Sequence, residues 1–102
     1  MPPAGQLVIV RTDCGDPACG EAFLQALRSR VQPGLPTGAR LIGPLPSPMQ
    51  RRAGKFRYQL ILLAEDRRVA QLAADLLVAQ AEAIPARRGL KWSIDVDPQD
   101  LY

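Results

Sequence analysis

Hydrophobic and polar residues are arranged along the chain in six segments that predict four strands and two helices. Residues 6–12 (QLVIVRT) are rich in β-branched side chains and lead into an Asp-Cys-Gly turn, which is typical of a strand. Asp16 followed by Pro17 predicts a helix start, because the carboxylate can cap free amides and proline fits the first turn. Pro33 and Gly34 end this helix, whose apolar stripe is Phe23, Leu24, Leu27 and Val31.

The middle of the chain predicts two strands joined by a proline-rich arm. Residues 39–43 form a short strand, after which prolines occupy alternate positions. Each proline removes a backbone donor, so we expect an extended, exposed arm without ordinary ladder pairing at Pro44, Pro46 and Pro48. Residues 55–63 predict a third strand, because their side chains alternate between two faces. One face carries Phe56, Tyr58, Leu60 and Leu62, and the other carries Lys55, Arg57, Gln59, Ile61 and Leu63.

The last third of the chain predicts a second helix and a fourth strand. Asp66 is positioned to cap the helix and Pro85 to end it. Apolar residues recur at intervals of three and four, and this spacing predicts a buried stripe of Val69, Leu72, Leu76, Ala79 and Ala83. Residues 90–96 predict the final strand, with Trp92, Ile94 and Val96 on one face.

The predicted order is therefore β-α-β-β-α-β. Two strand-helix-strand units with right-handed crossovers give a four-stranded antiparallel sheet with both helices on one face, which is the ferredoxin-like α+β sandwich. A length of 102 residues predicts one domain, residues 1–102. One sheet face stays free of helices, so we expect a functional surface there or on the proline-rich arm.

Membrane association is not expected from the apolar segments. The longest uninterrupted apolar runs, residues 60–64 and 76–79, are far shorter than the roughly 20 residues that span a bilayer. The opening MPPAGQ also lacks the pattern of a signal peptide. We therefore expect a cytoplasmic protein.

Two cysteines, Cys14 and Cys19, lie in the motif CGDPAC. Cys19 has helical spacing with Phe23 and Leu27, which favours a buried, small apolar residue over a redox or metal-binding role. Cys14 is expected in the preceding loop. The chain contains no histidine to complete a zinc set, so we expect no metal site.

Positive charge is clustered, although the excess of 13 Lys and Arg over 10 Asp and Glu gives a net charge of only +3. One acid-free cluster is Arg51, Arg52, Lys55 and Arg57, and a second is Arg87, Arg88 and Lys91. Such clusters are either solvated faces or footprints for phosphate groups, which need several cations on one surface.

No catalytic constellation is evident in the sequence. Without histidine, neither a Ser-His nor a Cys-His pair can form, and no glycine-rich loop has the spacing of a phosphate-binding motif. Asp95 and Asp97 share a strand face and Asp100 follows them, but turn and capping roles are favoured over binding of a divalent ion. We expect these carboxylates to be structural and the domain not to be an enzyme.

Three motifs together resemble a known family. They are PPxxxLVIVR followed by DP and a helix, GPLPSPM followed by RRAGKFRYQLIL, and KWSIDVDP near the end. They resemble the C-terminal domain of the PriA family, or primosomal protein N′, bacterial helicases that restart replication at stalled forks. That domain is similar in turn to the tenth small-subunit ribosomal protein, which shares the β-α-β-β-α-β order and a GPxPxP arm. The resemblance covers essentially the whole chain.

This resemblance implies a DNA-binding domain of a larger ATP-dependent helicase. The implied role is to grip single-stranded or branched DNA in fork recognition and primosome assembly, while other domains hydrolyse ATP. ATP, magnesium and zinc are implied only for those other domains, and no cofactor is expected here. The implied partners are DNA, the remaining helicase domains and the acidic tail of the single-stranded DNA-binding protein. For that tail, Arg67 or Arg68 lies near the family's basic contact.

The residues themselves also favour binding to nucleic acid. Cations on a loop and at a strand entry can converge on phosphates, and single strands need aromatic stacking surfaces. The aromatic candidates Phe56, Tyr58 and Trp92 share faces with apolar residues, so core packing is their favoured role. The predicted nucleic-acid site comprises Arg51, Arg52, Lys55, Arg57, Tyr58, Arg87, Arg88 and Lys91.

Two other functions are compatible with the sequence. One is a protein-interaction module whose basic surface, including Arg67 and Arg68, takes an acidic peptide. The other is a free-standing ribosomal protein, which is disfavoured because the ending DVDPQDLY and the spacing after GPLPSP match the helicase family better.

Overall fold

The computed structural model describes residues 6–52, 55–85 and 89–96, and at positions 17, 47–52 and 55 it describes the course of the backbone alone. Within these ranges the elements follow the predicted β-α-β-β-α-β order. The strands are β1 (Gln6–Cys14), β2 (Ala39–Arg52), β3 (Lys55–Ala64) and β4 (Lys91–Val96). The helices are α1 (Pro17–Val31) and α2 (Arg67–Ala83).

The four strands form one sheet in the order β2-β3-β1-β4. Every neighbouring pair is antiparallel, and β1 lies at the centre between β3 and β4. Both helices pack on the same face, where a single core joins Val8, Val10, Leu60 and Leu62 of the sheet to the buried sides of α1 and α2. The predicted ferredoxin-like sandwich is confirmed.

Helix α1 begins and ends as its sequence predicts. The Asp16 carboxylate accepts a hydrogen bond of 2.8 Å from the Ala18 amide, which satisfies one of the free donors of the first turn. The predicted stripe of Phe23, Leu24, Leu27 and Val31 is buried. A short 3₁₀ turn, Gln32–Gly34, follows directly and ends the helix.

Helix α1 also lies unusually close to the central strand at Gly20. A β-carbon placed there would be 2.5 Å from the Thr12 Oγ1, which is closer than real contacts allow. Thr12 is buried, and its hydroxyl donates a long hydrogen bond of 3.4 Å to the carbonyl of Tyr58. Because glycine has no β-carbon, Gly20 allows the helix to lie this close to the sheet.

The cap of α2 is confirmed, but the stripe predicted for this helix is wrong in part: Val69 and Leu76 pack against the core, whereas its other members do not. Asp66 accepts a 2.9 Å hydrogen bond from the Val69 amide. The predicted face leaves Leu72 53% exposed, with Ala79 and Ala83 also exposed. The buried face is instead rich in alanine, namely Ala70, Ala73, Ala74, Leu77 and Ala81. Small side chains let the helix backbone lie close to the sheet. The buried face of α2 is therefore the one with alanines, and not the one with the largest apolar side chains.

Strand β2 is longer than predicted, and its prolines do not form a separate arm. It continues to Arg52 and pairs with β3, with register shifts between Ile42 and Leu45 and between Pro46 and Arg51. Pro44 and Pro48 fall in these shifts and have no register partner, as predicted, whereas Pro46 pairs with Tyr58. These shifts coincide with the proline-rich part of the strand, where backbone donors are missing. The sheet can include this proline-rich segment because β2 is an edge strand, whose backbone pairs with a neighbouring strand on one side only.

The expectation for the two cysteines is wrong in two respects. Cys19 is buried as predicted, but it forms a disulfide with Cys14, which is the last residue of β1 and does not lie in a loop. The chain reverses between strand and helix, and this brings the two Cα atoms to 6.3 Å, within the range that a disulfide requires. The sequence spacing alone did not reveal this reversal.

No helix in the described ranges is long and apolar enough to cross a membrane.

Candidate nucleic-acid interface

The sheet face opposite the helices is built by alternate residues of all four strands. In the central strand β1, the helix-facing positions are Val8, Val10, Thr12 and Cys14, so positions 7, 9, 11 and 13 lie on the open face. Because paired residues in an antiparallel sheet share a face, the register of β1 with β3 and β4 defines the rows that cross this open face.

In one half of the open face the residues of β1 and β3 are apolar, and Arg40 of β2 and Asp95 of β4 lie at its edges. This half lies towards the start of β1 and the end of β3, where Ile9 pairs with Ile61 and Leu7 pairs with Leu63. Ile9 is only 1% exposed, whereas the aliphatic residues around it are half-buried. This half contributes no charged group from β1 or β3.

The other half of the open face is charged and lies beside the β2–β3 hairpin. One row across the sheet contains Arg57 of β3, Asp13 of β1 and Lys91 of β4, because Asp13 is the register partner of both cations. The next row contains Gln59, Arg11 and Ser93. Three cations from three strands are therefore collected on one surface.

Two ion pairs partly neutralise these cations. The Arg57 Nη2 lies 3.5 Å from the Asp13 Oδ2, and Arg11 pairs with Asp95, which lies diagonally across from it in β4. Roughly a third of each side chain in the Arg57–Asp13 pair is exposed, at 38% and 30%. Solvent screens such pairs, so each contributes only about 0.2–1 kcal/mol to the free energy of unfolding.

The Arg57–Asp13 pair is also poorly matched. The Asp13 Oδ1 and the Arg57 Nε are both buried and lack a hydrogen-bond partner. An arginine and a carboxylate bind best through two parallel hydrogen bonds, and this pair does not use that arrangement. Solvent does not reach the buried Nε, so an additional acceptor would approach the exposed part of Arg57, which is 38% of its side chain.

Backbone pairing places the remaining cations of the first predicted cluster at the tip of the hairpin. Arg52 is the register partner of Lys55, and Arg51 is the partner of Phe56. Arg51 and Arg52 thus end β2 instead of occupying a loop, and only positions 53 and 54 separate them from Lys55. Strand alternation puts positions 55 and 57 on the same side of β3.

The second predicted cluster is described only in part. Lys91 is exposed at the start of β4, whereas Arg87 and Arg88 lie outside the described residues. Arg57 and Lys91 come from separate clusters in the sequence, and the sheet brings them into one row. Arg11 and Asp13 were missed by the sequence analysis, although their alternation with Val8 and Val10 was a usable signal.

The aromatic residues of the described strands face the helices instead. Tyr58 is half-buried and packs against the core, as does Trp92, whose ring stacks on that of Phe23 with 6.3 Å between centroids. Phe56 is paired with the helix-facing Cys14. Tyr58 is thus not brought together with Arg57 and Lys91, and the core-packing interpretation of Tyr58 and Trp92 agrees with their positions.

The predicted peptide contacts lie at the other end of the sheet. Arg67 and Arg68 are exposed in the first turn of α2, immediately after β3 ends at Ala64. The hairpin cations lie at the opposite end of β3. Arg67 and Arg68 therefore belong to a surface distinct from the charged half of the open face.

Groups of side chains suited to metal binding are absent from the described part of the chain, in which no three His, Cys, Asp or Glu residues cluster. Asp95 pairs with Arg11, while Asp97 and Asp100 lie outside the described residues. Within the described ranges, the distinctive chemistry is thus a charged protein surface.

This fold and surface define a ferredoxin-like α+β domain with an open, charged sheet face. The chain belongs to the family described as the primosomal protein N C-terminal domain, whose model matches residues 1–99. It is similar to the replication restart protein PriA of Haemophilus influenzae, with 29% identity over 101 residues. The match covers 99% of this chain but only 14% of that relative, so the chain corresponds to a small part of its length.

Solved structures share the fold at low sequence identity. The de novo designed protein Foldit4 matches with a TM-score of 0.63 and 6% identity, covering 94% of this chain and 99% of that protein. A hydantoinase/carbamoylase family amidase from Burkholderia ambifaria matches with a TM-score of 0.58 and 14% identity, covering 91% of this chain and 27% of the amidase. At these identities the likeness concerns the fold alone.

Proposed function

We propose that this domain binds single-stranded or branched DNA as an accessory domain of a replication restart helicase, where it contributes to fork recognition and primosome assembly. The observation that carries the proposal is the β2–β3 pairing, which gathers Arg51, Arg52, Lys55 and Arg57 at one end of a hairpin. Family membership supplies the replication context.

The physical basis is the neutralisation of phosphates by converging cations. Each contact to a single strand releases condensed counterions and lowers the slope of log affinity against log salt by about 0.7. Four contacts from the hairpin therefore predict a slope of about −3. Such binding is sensitive to salt and only weakly selective for base sequence.

The proposed role is not enzymatic. Unwinding and ATP hydrolysis, with their ATP, magnesium and zinc requirements, are assigned to the other domains of the longer helicase. Those domains are proposed as partners of this one. We therefore expect this chain alone to bind DNA without ATPase activity.

The test is fluorescence anisotropy with a labelled oligonucleotide at several salt concentrations. The hairpin variant changes Arg51, Arg52, Lys55 and Arg57 to alanine, and it should flatten the salt slope and weaken binding. The control variant removes the same charge elsewhere by changing four exposed arginines, Arg30, Arg40, Arg67 and Arg68, to alanine. Circular dichroism confirms that both variants fold. A hairpin variant that keeps the wild-type affinity and slope would refute this assignment.

A second candidate function is binding of an acidic peptide, such as the tail of single-stranded DNA-binding protein, at Arg67 and Arg68. Both side chains are exposed in the first turn of α2, where the helix dipole favours an anion. The Asp66 carboxylate already occupies the Val69 amide, so the guanidinium groups would have to supply most of the attraction. We expect weak binding by this chain alone.

Calorimetry with an acidic peptide tests the second function. Changing Arg67 and Arg68 together to alanine should abolish the weak signal, whereas Arg30→Ala should leave it unchanged. Tight binding that survives the double change would contradict both the expected affinity and the chosen residues.

A further inference from the structure

We infer that single-stranded DNA crosses the charged half of the open face, from the hairpin towards β4, and that Asp13 and Asp95 compete with its phosphates for Arg57 and Arg11. The inference rests on the proposed function and adds the binding surface and the residues that restrain it. Lys91 extends the same surface to the far edge of the sheet.

The strand register supplies the path. Arg57, Asp13 and Lys91 lie in one row on β3, β1 and β4, so the two cations are separated by two strand spacings, about 10 Å. Arg11 lies in the adjacent row, two residues before Asp13 on β1. The hairpin tip continues this surface beyond β3, because position 55 shares the side of β3 on which Arg57 lies.

The quality of the ion pairs makes an exchange of partners feasible. The Arg57–Asp13 pair joins through a single contact of 3.5 Å, and each partner has one buried polar atom without a hydrogen bond. Both side chains remain accessible, as do those of Arg11 and Asp95. A phosphate offers several acceptor oxygens and can therefore engage a guanidinium more completely than Asp13 does.

The positions of the aromatic residues in the described strands indicate which part of DNA this surface contacts. Phe56, Tyr58 and Trp92 occupy helix-facing positions, so they supply no stacking platform on the open face. Base stacking is the usual source of salt-independent affinity for single strands. The open face therefore contacts the phosphodiester backbone, and oligonucleotides of different base composition should bind with similar affinity.

Neutralising the competing carboxylates tests the inference directly. Asp13→Asn and Asp95→Asn should each tighten binding of a labelled single strand by about 1.4- to 5-fold at low salt, the range expected for releasing one exposed ion pair. Each should steepen the salt slope by up to about 0.7, because a released cation becomes available to a phosphate. Both changes keep the size of the side chain.

The matched control is Asp75→Asn, which makes the same change of charge on α2, behind the sheet. Asp75 is exposed, and its carboxylate accepts a hydrogen bond of 3.2 Å from Gln71 of the same helix. It should change the affinity far less than Asp13→Asn. Equal effects of the three asparagine variants would show a general charge effect and overturn the inference.

Lys91, at the β4 edge of the sheet, provides an independent test. Lys91→Ala should lower the magnitude of the salt slope by about 0.7, whereas Arg30→Ala on α1 should not change it. Lys91 is exposed, so its loss should not prevent folding. If the hairpin variant loses binding but Lys91→Ala and Asp13→Asn behave as wild type, the proposed function stands and this path is wrong. If the wild-type chain does not bind single strands, both are wrong.

Discussion

Replacing Gly20 with alanine would test how closely α1 lies on the central strand. The new β-carbon would meet the Thr12 Oγ1 at 2.5 Å, whereas its contact with the Tyr58 Cδ1, at 3.5 Å, is ordinary. Thr12 is β-branched and only 2% exposed, so its hydroxyl cannot move freely out of the way. The helix, the strand or both must shift.

The expected magnitude is a difference between two opposing effects. Alanine stabilises a helix interior by about 1 kcal/mol relative to glycine. Overpacking a close contact costs about 1–3 kcal/mol. We therefore expect Gly20→Ala to lower the free energy of unfolding by about 1 kcal/mol, which for a domain of this size lowers the thermal midpoint by roughly 4–8 °C.

A double-mutant cycle with Thr12→Ala isolates the cause. Without the hydroxyl, the closest remaining atom of residue 12 is its β-carbon, at 3.4 Å, which is an ordinary contact. Gly20→Ala should then become stabilising, giving a coupling energy of about 2 kcal/mol. Thr12→Val, which stays β-branched and keeps a γ atom beside Gly20, should give no such rescue. Gly15→Ala, at a site with open space around it, is the control for an added methyl group. Thermal or urea unfolding followed by circular dichroism measures each variant, and a coupling energy near zero would refute the packing argument.

Three further predictions concern the buried face of α2, its cap and the disulfide. Leu77→Ala should lower the free energy of unfolding, measured by heat or urea, by about 2–5 kcal/mol because it leaves a cavity in the core. Leu72→Ala should lower it by less than about 0.5 kcal/mol. The reverse order would support the buried stripe predicted from sequence. Asp66→Ala should cost about 1 kcal/mol by removing the cap of α2, and an unchanged urea midpoint would contradict that role. A reducing agent should lower the free energy of unfolding of the wild type by about 2 kcal/mol, the value expected for so short a disulfide loop, and should therefore lower its thermal midpoint. The variant with Cys14→Ser and Cys19→Ser should not respond. A wild type that also does not respond would argue against the disulfide.

The predictable part of the fold depended on local signals. Asp16 and Asp66 mark helix starts by a chemistry that acts within three residues, and both caps are present as predicted. The stripe predicted for α2 includes the exposed Leu72 because the hydrophobic pattern treats leucine as a stronger sign of burial than alanine, whereas the residue that is buried is Ala73. Which face of the helix can approach the sheet depends on β1 as well as on the neighbouring β3, and β1 is distant from α2 in sequence.

The candidate site was predictable in composition but not in arrangement. Arg57 and Lys91 were chosen from separate charge clusters, and only the register through Asp13 places them in one row. Asp13 looked like part of a turn because the length of β1 was underestimated by two residues, 6–12 against 6–14. Register between distant strands is a tertiary property that residue spacing does not reveal.

The same edge position that accommodates the prolines of β2 also limits self-association. An exposed strand edge with free amides can recruit the edge of another molecule and seed aggregation. Pro44, Pro46 and Pro48 lack the donors that such recruitment needs, and the opposite edge, β4, which spans six residues within the described part of the chain, carries Lys91 and Asp95. Both borders of the sheet therefore disfavour edge-to-edge addition, which should keep the domain dispersed at concentrations where an unprotected four-stranded sheet would precipitate.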